Sequence, residues 1–145
     1  MTDLHAAVGL AQLTRYDGML ERRHEIVRMY DQAFKSYNVE VLKHTSEEYV
    51  SSGHLYFMNV CGISEEQRND LITKLAEKGV SCNVHYKPLP MMTAYKNLGF
   101  DIKDYPNAYV HYQNEITLPL YSALTDEQVN YIVEAVTACL KEILC

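Results

Sequence analysis

The sequence has no tryptophan, only six glycines and four prolines in 145 residues, and no closely spaced cysteine pair. Each shortage closes off a class of function. The glycines are scattered, so there is no glycine-rich turn before a helix to cradle a phosphate. Cys61, Cys82, Cys139 and Cys145 form neither a CxxC pair nor a dense disulfide framework. With no signal-peptide pattern and no apolar run long enough to span a bilayer, reduced thiols in a cytoplasmic protein are expected. Cations are outnumbered: 13 Lys and Arg face 19 Asp and Glu, for a net charge of −6. Without a basic stripe to neutralise phosphates, neither nucleic acid nor a membrane surface is an expected partner. The one basic cluster, Arg15, Arg22, Arg23 and Arg28, is interleaved with Asp17, Glu21, Glu25 and Asp31. That pattern predicts a solvated helix face. No serine or cysteine sits in a GxSxG-type elbow, and no repeat, low-complexity tract or linker interrupts the chain.

What is present suits one compact α+β domain, since 48% of residues are hydrophobic, enough for a core. Thr2 is placed to cap a helix over TDLHAAVGLAQLTRY, with Leu4, Ala7, Val8 and Ala11 at 3–4 spacing. A kink or break is expected at Gly18, followed by a second helical stretch carrying Leu20, Val27, Tyr30 and Phe34. VEVLK (39–43) and HLYFMNVC (54–61) read as strands, with a polar loop between them. Ser64 and Gln67 form a capping box, Leu71, Ile72 and Leu75 an apolar face, and Gly79 fits the C′ position. VSCNVHY (80–86) alternates like a strand, with Val80, Cys82, Val84 and Tyr86 on one face. A helical turn within 88–99, a short helix over 106–114 and a strand over 115–121 follow. Thr125 and Gln128 then open a final helix to about Ile143. The sum is a long N-terminal helical segment, then a small sheet with helices packed on it.

The densest chemistry lies in NVHYKPLP (83–90). Pro88 and Pro90 hold the chain extended directly after His85, Tyr86 and Lys87. Two readings stand side by side. One is an ordinary strand exit, with His85 half exposed, Tyr86 packed and Lys87 in solvent. The other is a ligand-contacting loop, for which stiff strand ends are common sites. Cys82 and His85 have a C-x2-H spacing, but no second pair completes four zinc ligands, and His54 and His111 are isolated. Tyr105, Tyr109 and Tyr112 are spaced as the packed face of a short helix.

Five stretches go further when taken in order: MTDLHAAVGLAQL, HLYFMNV, VHYKPLPMMTAYKNLGF, PNAYVHYQNEITLPLY and LTDEQVNYIVEAV. Together they resemble the DegT/StrS family of pyridoxal-phosphate (PLP) dependent sugar-nucleotide aminotransferases, over nearly the whole chain. The resemblance implies an aspartate-aminotransferase-type fold, with a large PLP domain followed by a small C-terminal domain, usually in a dimer. It implies transfer of an amino group from glutamate to a keto group on a nucleotide-linked sugar. Only the later part of the family is represented. Residues 1–145 would be the C-terminal domain, and the helical segment 1–36 would join it to the PLP domain. The cofactor-bearing lysine is expected upstream of Met1, because Lys35, Lys43, Lys74, Lys78, Lys87, Lys96, Lys103 and Lys141 all stand in the wrong context. Met1-Thr2-Asp3 matches the end of a phrase that opens this helix in the family, so the resemblance implies that Met1 is expected to be an internal methionine of a longer protein.

The resemblance also implies that the VHYKPLP loop reaches the active-site cleft. His85, Tyr86 and Lys87 become candidate contacts to the sugar nucleotide, Lys87 as a diphosphate partner. His54 and Tyr56 are second candidates, with structural roles equally open. The family's loop often carries a histidine after its Pro-Leu pair, where this chain has Pro90. Alone, the chain is expected to bind no PLP and to be inactive. The alternative is a stand-alone ligand- or protein-binding module with the same fold. Leu4, Val8, Leu10 and Leu13 remain apolar, which favours the fragment and predicts self-association into a homo-oligomer.

Overall fold

The computed structural model describes residues 1–144; Cys145, read above as a reduced thiol, lies outside the described residues. The elements run α1 (Asp3–Phe34), β1 (Val39–Val41), β2 (Tyr56–Val60), α2 (Glu65–Glu77), α3 (Thr93–Asn97), α4 (Pro106–Gln113), β3 (Glu115–Leu118) and α5 (Asp126–Leu144). The sheet has the order β1-β2-β3, antiparallel throughout. The architecture is α+β, a small antiparallel sheet with helices packed on it.

The helices begin where the sequence caps them. The Thr2 hydroxyl accepts from His5 N–H. Ser64 and Gln67 exchange reciprocal bonds, and so do Thr125 and Gln128. Gly79 takes the left-handed conformation (φ +75°) just past α2. The expected break at Gly18 does not occur, and α1 runs 32 residues without interruption. A helical glycine costs only about 1 kcal/mol relative to alanine, and burial of the helix starts at its next turn.

That burial divides α1 in two. Ile26, Val27, Tyr30 and Phe34 enter the core, beside Tyr56, Met58 and Val60 of β2, Ile116 and Leu118 of β3, Leu71 and Leu75 of α2, and Val129, Val136 and Leu140 of α5. Arg22 anchors the helix to the start of α5, donating to Leu124 O at 2.8 Å and to Asp126 at 2.7 Å. The Tyr30 hydroxyl donates to Pro119 O at 2.8 Å, fixing the exit of β3. The first half of α1 lies on nothing: Leu4 is 75% exposed, Val8 57%, and Leu10 and Leu13 66% each. Leu4 and Val8 share one side of the helix, Leu10 and Leu13 the other, and apolar surface so exposed seeks cover. The isolated chain is therefore expected to sediment as more than a monomer at high concentration. Leu4→Glu with Val8→Glu should return it to the monomer, and an unchanged sedimentation coefficient in the double variant would locate the association elsewhere.

The strand expected over 80–86 is not formed. Val80 is buried, but only Asn83 pairs with β3, exchanging both main-chain bonds with Thr117 (3.2 and 2.7 Å). Two residues on, the His85 N–H donates to the Glu115 carboxylate at 2.9 Å, leaving the ladder. Tyr86, expected beside Val80 and Cys82, is 72% exposed. Among the described residues, no helix is long and apolar enough to cross a membrane.

Candidate functional site

The outer face of the sheet is set by register. Glu40, Asn59 and Glu115 lie opposite one another across the three strands, and Phe57 lies opposite Thr117. Alternation places these side chains away from the core face made by Tyr56, Met58, Ile116 and Leu118. The 83–88 segment and α4 rise on either side. Between them lies a depression of about 520 Å³, floored by Phe57, Asn59 and Glu115 and walled by His85, Tyr86, Pro88, His111 and Tyr112.

His85 is held from three directions. Its main-chain N–H is bound by Glu115, its Nδ1 lies 2.9 Å from Thr117 Oγ1, and its ring meets Phe57 edge-on and Tyr86 in a T-shape. The peptide bond between His85 and Tyr86 is cis. Thr117 in turn donates to the other Glu115 oxygen. Glu115 is 5% exposed, and its carboxylate is satisfied by these two donors. On the far wall, Asn59 Nδ2 lies 3.0 Å from His111 Nδ1. Beneath the floor Arg68, 1% exposed, donates to Tyr112 O and Glu115 O at 3.0 and 3.2 Å. Its guanidinium lies 4.7 Å from the Tyr112 ring centroid. The Tyr112 hydroxyl donates to Glu65, and burial pushes that phenol above its ordinary range.

Of the residues singled out in the sequence, His85 and Tyr86 line this depression. Lys87 is exposed beside it. His54 is exposed and outside it. Tyr56 points the other way: it is fully buried and its hydroxyl donates to Asp31 at 2.9 Å. Glu115, Thr117, Asn59 and His111 were not anticipated. The alternation in EITL and YFMNV was the signal for the first three, once the register joins the strands. A larger hollow of about 820 Å³ beside the start of α5 is lined by Thr125 and Gln128, but their side chains already cap that helix. Among the described residues, no group of three His, Cys, Asp or Glu is placed to share a metal ion.

A third hollow, about 510 Å³, separates α1 from the 41–45 segment. There Ser51 is pinned twice, by His24 Nε2 on its carbonyl (2.6 Å) and by His44 Nδ1 on its hydroxyl (2.7 Å). Gly53 (φ +57°) lets the loop touch α1, where a Cβ would meet Arg23 at 3.2 Å. Burial holds the His44 pKa below the ordinary histidine value of 6.5, and Asp31 opposes this only in part. The folded chain therefore binds the proton less readily than the unfolded one. Stability is fully present above pH 6.5 and is lost as pH falls below it, toward the depressed folded value. Melting followed by circular dichroism should show a drop between pH 7.5 and 5.5 that shrinks in His44→Gln. An equal drop in both proteins would remove His44 from the account.

Residues 1–137 match the DegT/DnrJ/EryC1/StrS aminotransferase family. The chain belongs to this family. Its members are PLP-dependent aminotransferases. Among solved structures, this family member is similar to Spr1654 of Streptococcus pneumoniae, assigned as a sugar aminotransferase. In the PMP form the two are 50% identical, with TM-score 0.95, over 99% of this chain and 36% of that one. It is 33% identical to the spore coat polysaccharide biosynthesis protein SpsC of Bacillus subtilis, over 97% of this chain and 37% of the relative. It is 27% identical to the UDP-4-amino-4,6-dideoxy-N-acetyl-beta-L-altrosamine transaminase of Campylobacter jejuni, over 99% of this chain and 38% of the relative. The chain thus spans little more than a third of the proteins it matches.

The depression does not by itself make a PLP site. A desolvated pocket is one setting that activates a cofactor-bearing lysine, and none of the chain's lysines lines this one. No arginine lines it to take a phosphate either. Its groups are aromatic, imidazole, amide and carboxylate, suited to orienting an uncharged polar ligand.

Proposed function

We propose that this chain is the small, C-terminal domain of a cytoplasmic PLP-dependent aminotransferase. The enzyme moves an amino group from glutamate to a keto group of a nucleotide-linked sugar, in making amino sugars for surface polysaccharides. Residues 1–36 join the domain to the PLP-binding part, and the exposed half of α1 packs there or in a homo-oligomer. The observation that carries this reading is the family match over 1–137, at only 36–38% of the relatives' length, together with a ligand-sized depression free of lysine. The names of SpsC and the Campylobacter transaminase support the polysaccharide and UDP-sugar context. In the assembled enzyme His85 and Tyr86 contact the sugar nucleotide, and Lys87, exposed beside them, meets its diphosphate as a point charge. His54 stands further off as a secondary contact. A stand-alone module accounts less well for the exposed apolar residues in the first half of α1.

The test is a chimera in which this chain replaces the matching third of Spr1654. The chimera is expected to fold and to convert between PLP and PMP absorbance on addition of glutamate. The isolated chain, treated with PLP and borohydride, should show no single labelled lysine by mass spectrometry. A folded chimera that does not take up PLP, or a stoichiometric label on one lysine of the chain alone, would overturn the reading.

A further inference from the structure

The mutual arrangement of Glu115, Thr117 and His85 dictates more than position. A carboxylate can only accept hydrogen bonds, so the single Thr117 hydroxyl proton is committed to Glu115. Thr117 Oγ1 is left as an acceptor toward His85, 2.9 Å from Nδ1. The proton between them must then belong to the ring, on Nδ1. The other ring nitrogen tells the same story. Asn83 Oδ1 accepts from Val84 N–H at 2.8 Å, which turns the amide Nδ2 toward His85 Nε2 at 3.4 Å. An amide N–H can only donate, so Nε2 offers a lone pair.

We propose that Glu115 is a positioning residue that, through Thr117, fixes neutral His85 in the Nδ1–H tautomer and so makes Nε2 a hydrogen-bond acceptor beside the depression. Nothing in the chain's local sequence imposes this. It follows from a buried carboxylate on one strand, a hydroxyl two residues on, and an imidazole brought against both by the Asn83–Thr117 bridge. The ligand group that suits such a nitrogen is a donor, a hydroxyl or an amine, which would take the lone pair in place of the long 3.4 Å contact from Asn83. A carbonyl or phosphate oxygen would find no proton there while the ring is neutral. That consequence for the sugar substrate rests on the proposed function; the tautomer itself does not.

One substitution reverses the predicted pattern rather than abolishing it. In Glu115→Gln the amide oxygen must still accept from His85 N–H, because that donor is main chain. The amide NH2 then faces Thr117 and donates to Oγ1. The Thr117 proton is released toward His85 Nδ1, and the ring proton moves to Nε2 at the expense of the long 3.4 Å contact, where Asn83 Nδ2 then meets a second donor. The experiment uses the full 145-residue chain labelled with 15N-histidine, with long-range proton–nitrogen correlation spectra at a pH where the ring is neutral. Wild type is expected to show the proton on Nδ1 of His85, and Glu115→Gln to show it on Nε2. Thr117→Val should weaken the Nδ1 preference, leaving only the long Asn83 contact to hold it, and Thr117→Ser should keep it, while the amide spectrum confirms an unchanged fold in each. Wild-type His85 found as Nε2–H, or the same tautomer in wild type and folded Glu115→Gln, would overturn the proposal. Neither result would touch the aminotransferase assignment, which the chimera tests separately. A chimera that fails while the tautomer inverts would leave the Glu115 role standing in a protein of different function.

Discussion

Arg68→Met is expected to cost this chain about 3 kcal/mol or more, and to lower its melting temperature by roughly 10 °C. Arg68 is 1% exposed although it carries a full charge. Its Nη1 serves two main-chain carbonyls, Tyr112 O at the end of α4 and Glu115 O at the start of β3, and its Nε donates to Asn69. Asn59 and Glu115 are opposed without exchanging main-chain bonds, since Val60 N–H donates to Asn114 O. The Glu115 carbonyl therefore points off the free edge of the sheet. Methionine would fill the space but leave both carbonyls without a donor, at about 1–3 kcal/mol each. Among the described residues, the charge pairs with one carboxylate, Glu65 at 3.8 Å, so the loss comes chiefly from the carbonyls. Arg22→Met supplies the comparison. Arg22 makes a similar number of bonds, but its side chain is 23% exposed and its partner Asp126 70%. Water can replace what is lost there, and the cost should be about 1 kcal/mol. Paired urea titrations measure the difference, and equal midpoints for the two variants would mean that water already reaches the carbonyls under Arg68.

The two arginines also show what could be read in advance. The interleaved charges around Arg22 predicted a solvated helix face, which holds for Arg15 and Arg28 but not for Arg22 and Arg23, half-buried where the helix meets the rest of the chain. Nothing around Arg68 marked it for burial, because its burial depends on α4 and β3, more than 40 residues away in sequence. Capping carries its own local signature, so Thr2, Ser64 with Gln67, and Thr125 with Gln128 were legible, as was Gly79. The strand expected over 80–86 failed for a tertiary reason. Its alternation is real, but the Glu115 carboxylate captures the His85 N–H and ends pairing after one bridge. The same event created the site. His85 and Tyr86 were visible as a polar cluster before two prolines, whereas Glu115 and Thr117 became relevant only when the sheet register placed them under His85. Tyr56 sits in a motif with site-like residues but on the core side of β2, a distinction that strand parity decides.

That parity separates two substitutions that the sequence placed on one list. In the Spr1654 chimera, on the proposed reading, His85→Ala should lower kcat/KM for the keto-sugar half-reaction by about ten- to a hundredfold, the range of one hydrogen bond to a polar or charged group. The glutamate half-reaction should be nearly unchanged, since the loss is confined to the group that meets the sugar nucleotide. Tyr56→Phe should do the opposite. It removes the bond to Asp31 in a half-buried setting, with a stability cost of about 1 kcal/mol and no change in either half-reaction. Single-turnover absorbance, following PMP to PLP with the sugar and PLP to PMP with glutamate, measures the two steps separately. A rate loss in Tyr56→Phe with none in His85→Ala would put the ligand on the α1 side of the sheet, in the hollow beside His44 and Asp31. The outer depression, with its buried Glu115 and its aromatic floor, would then need another occupant.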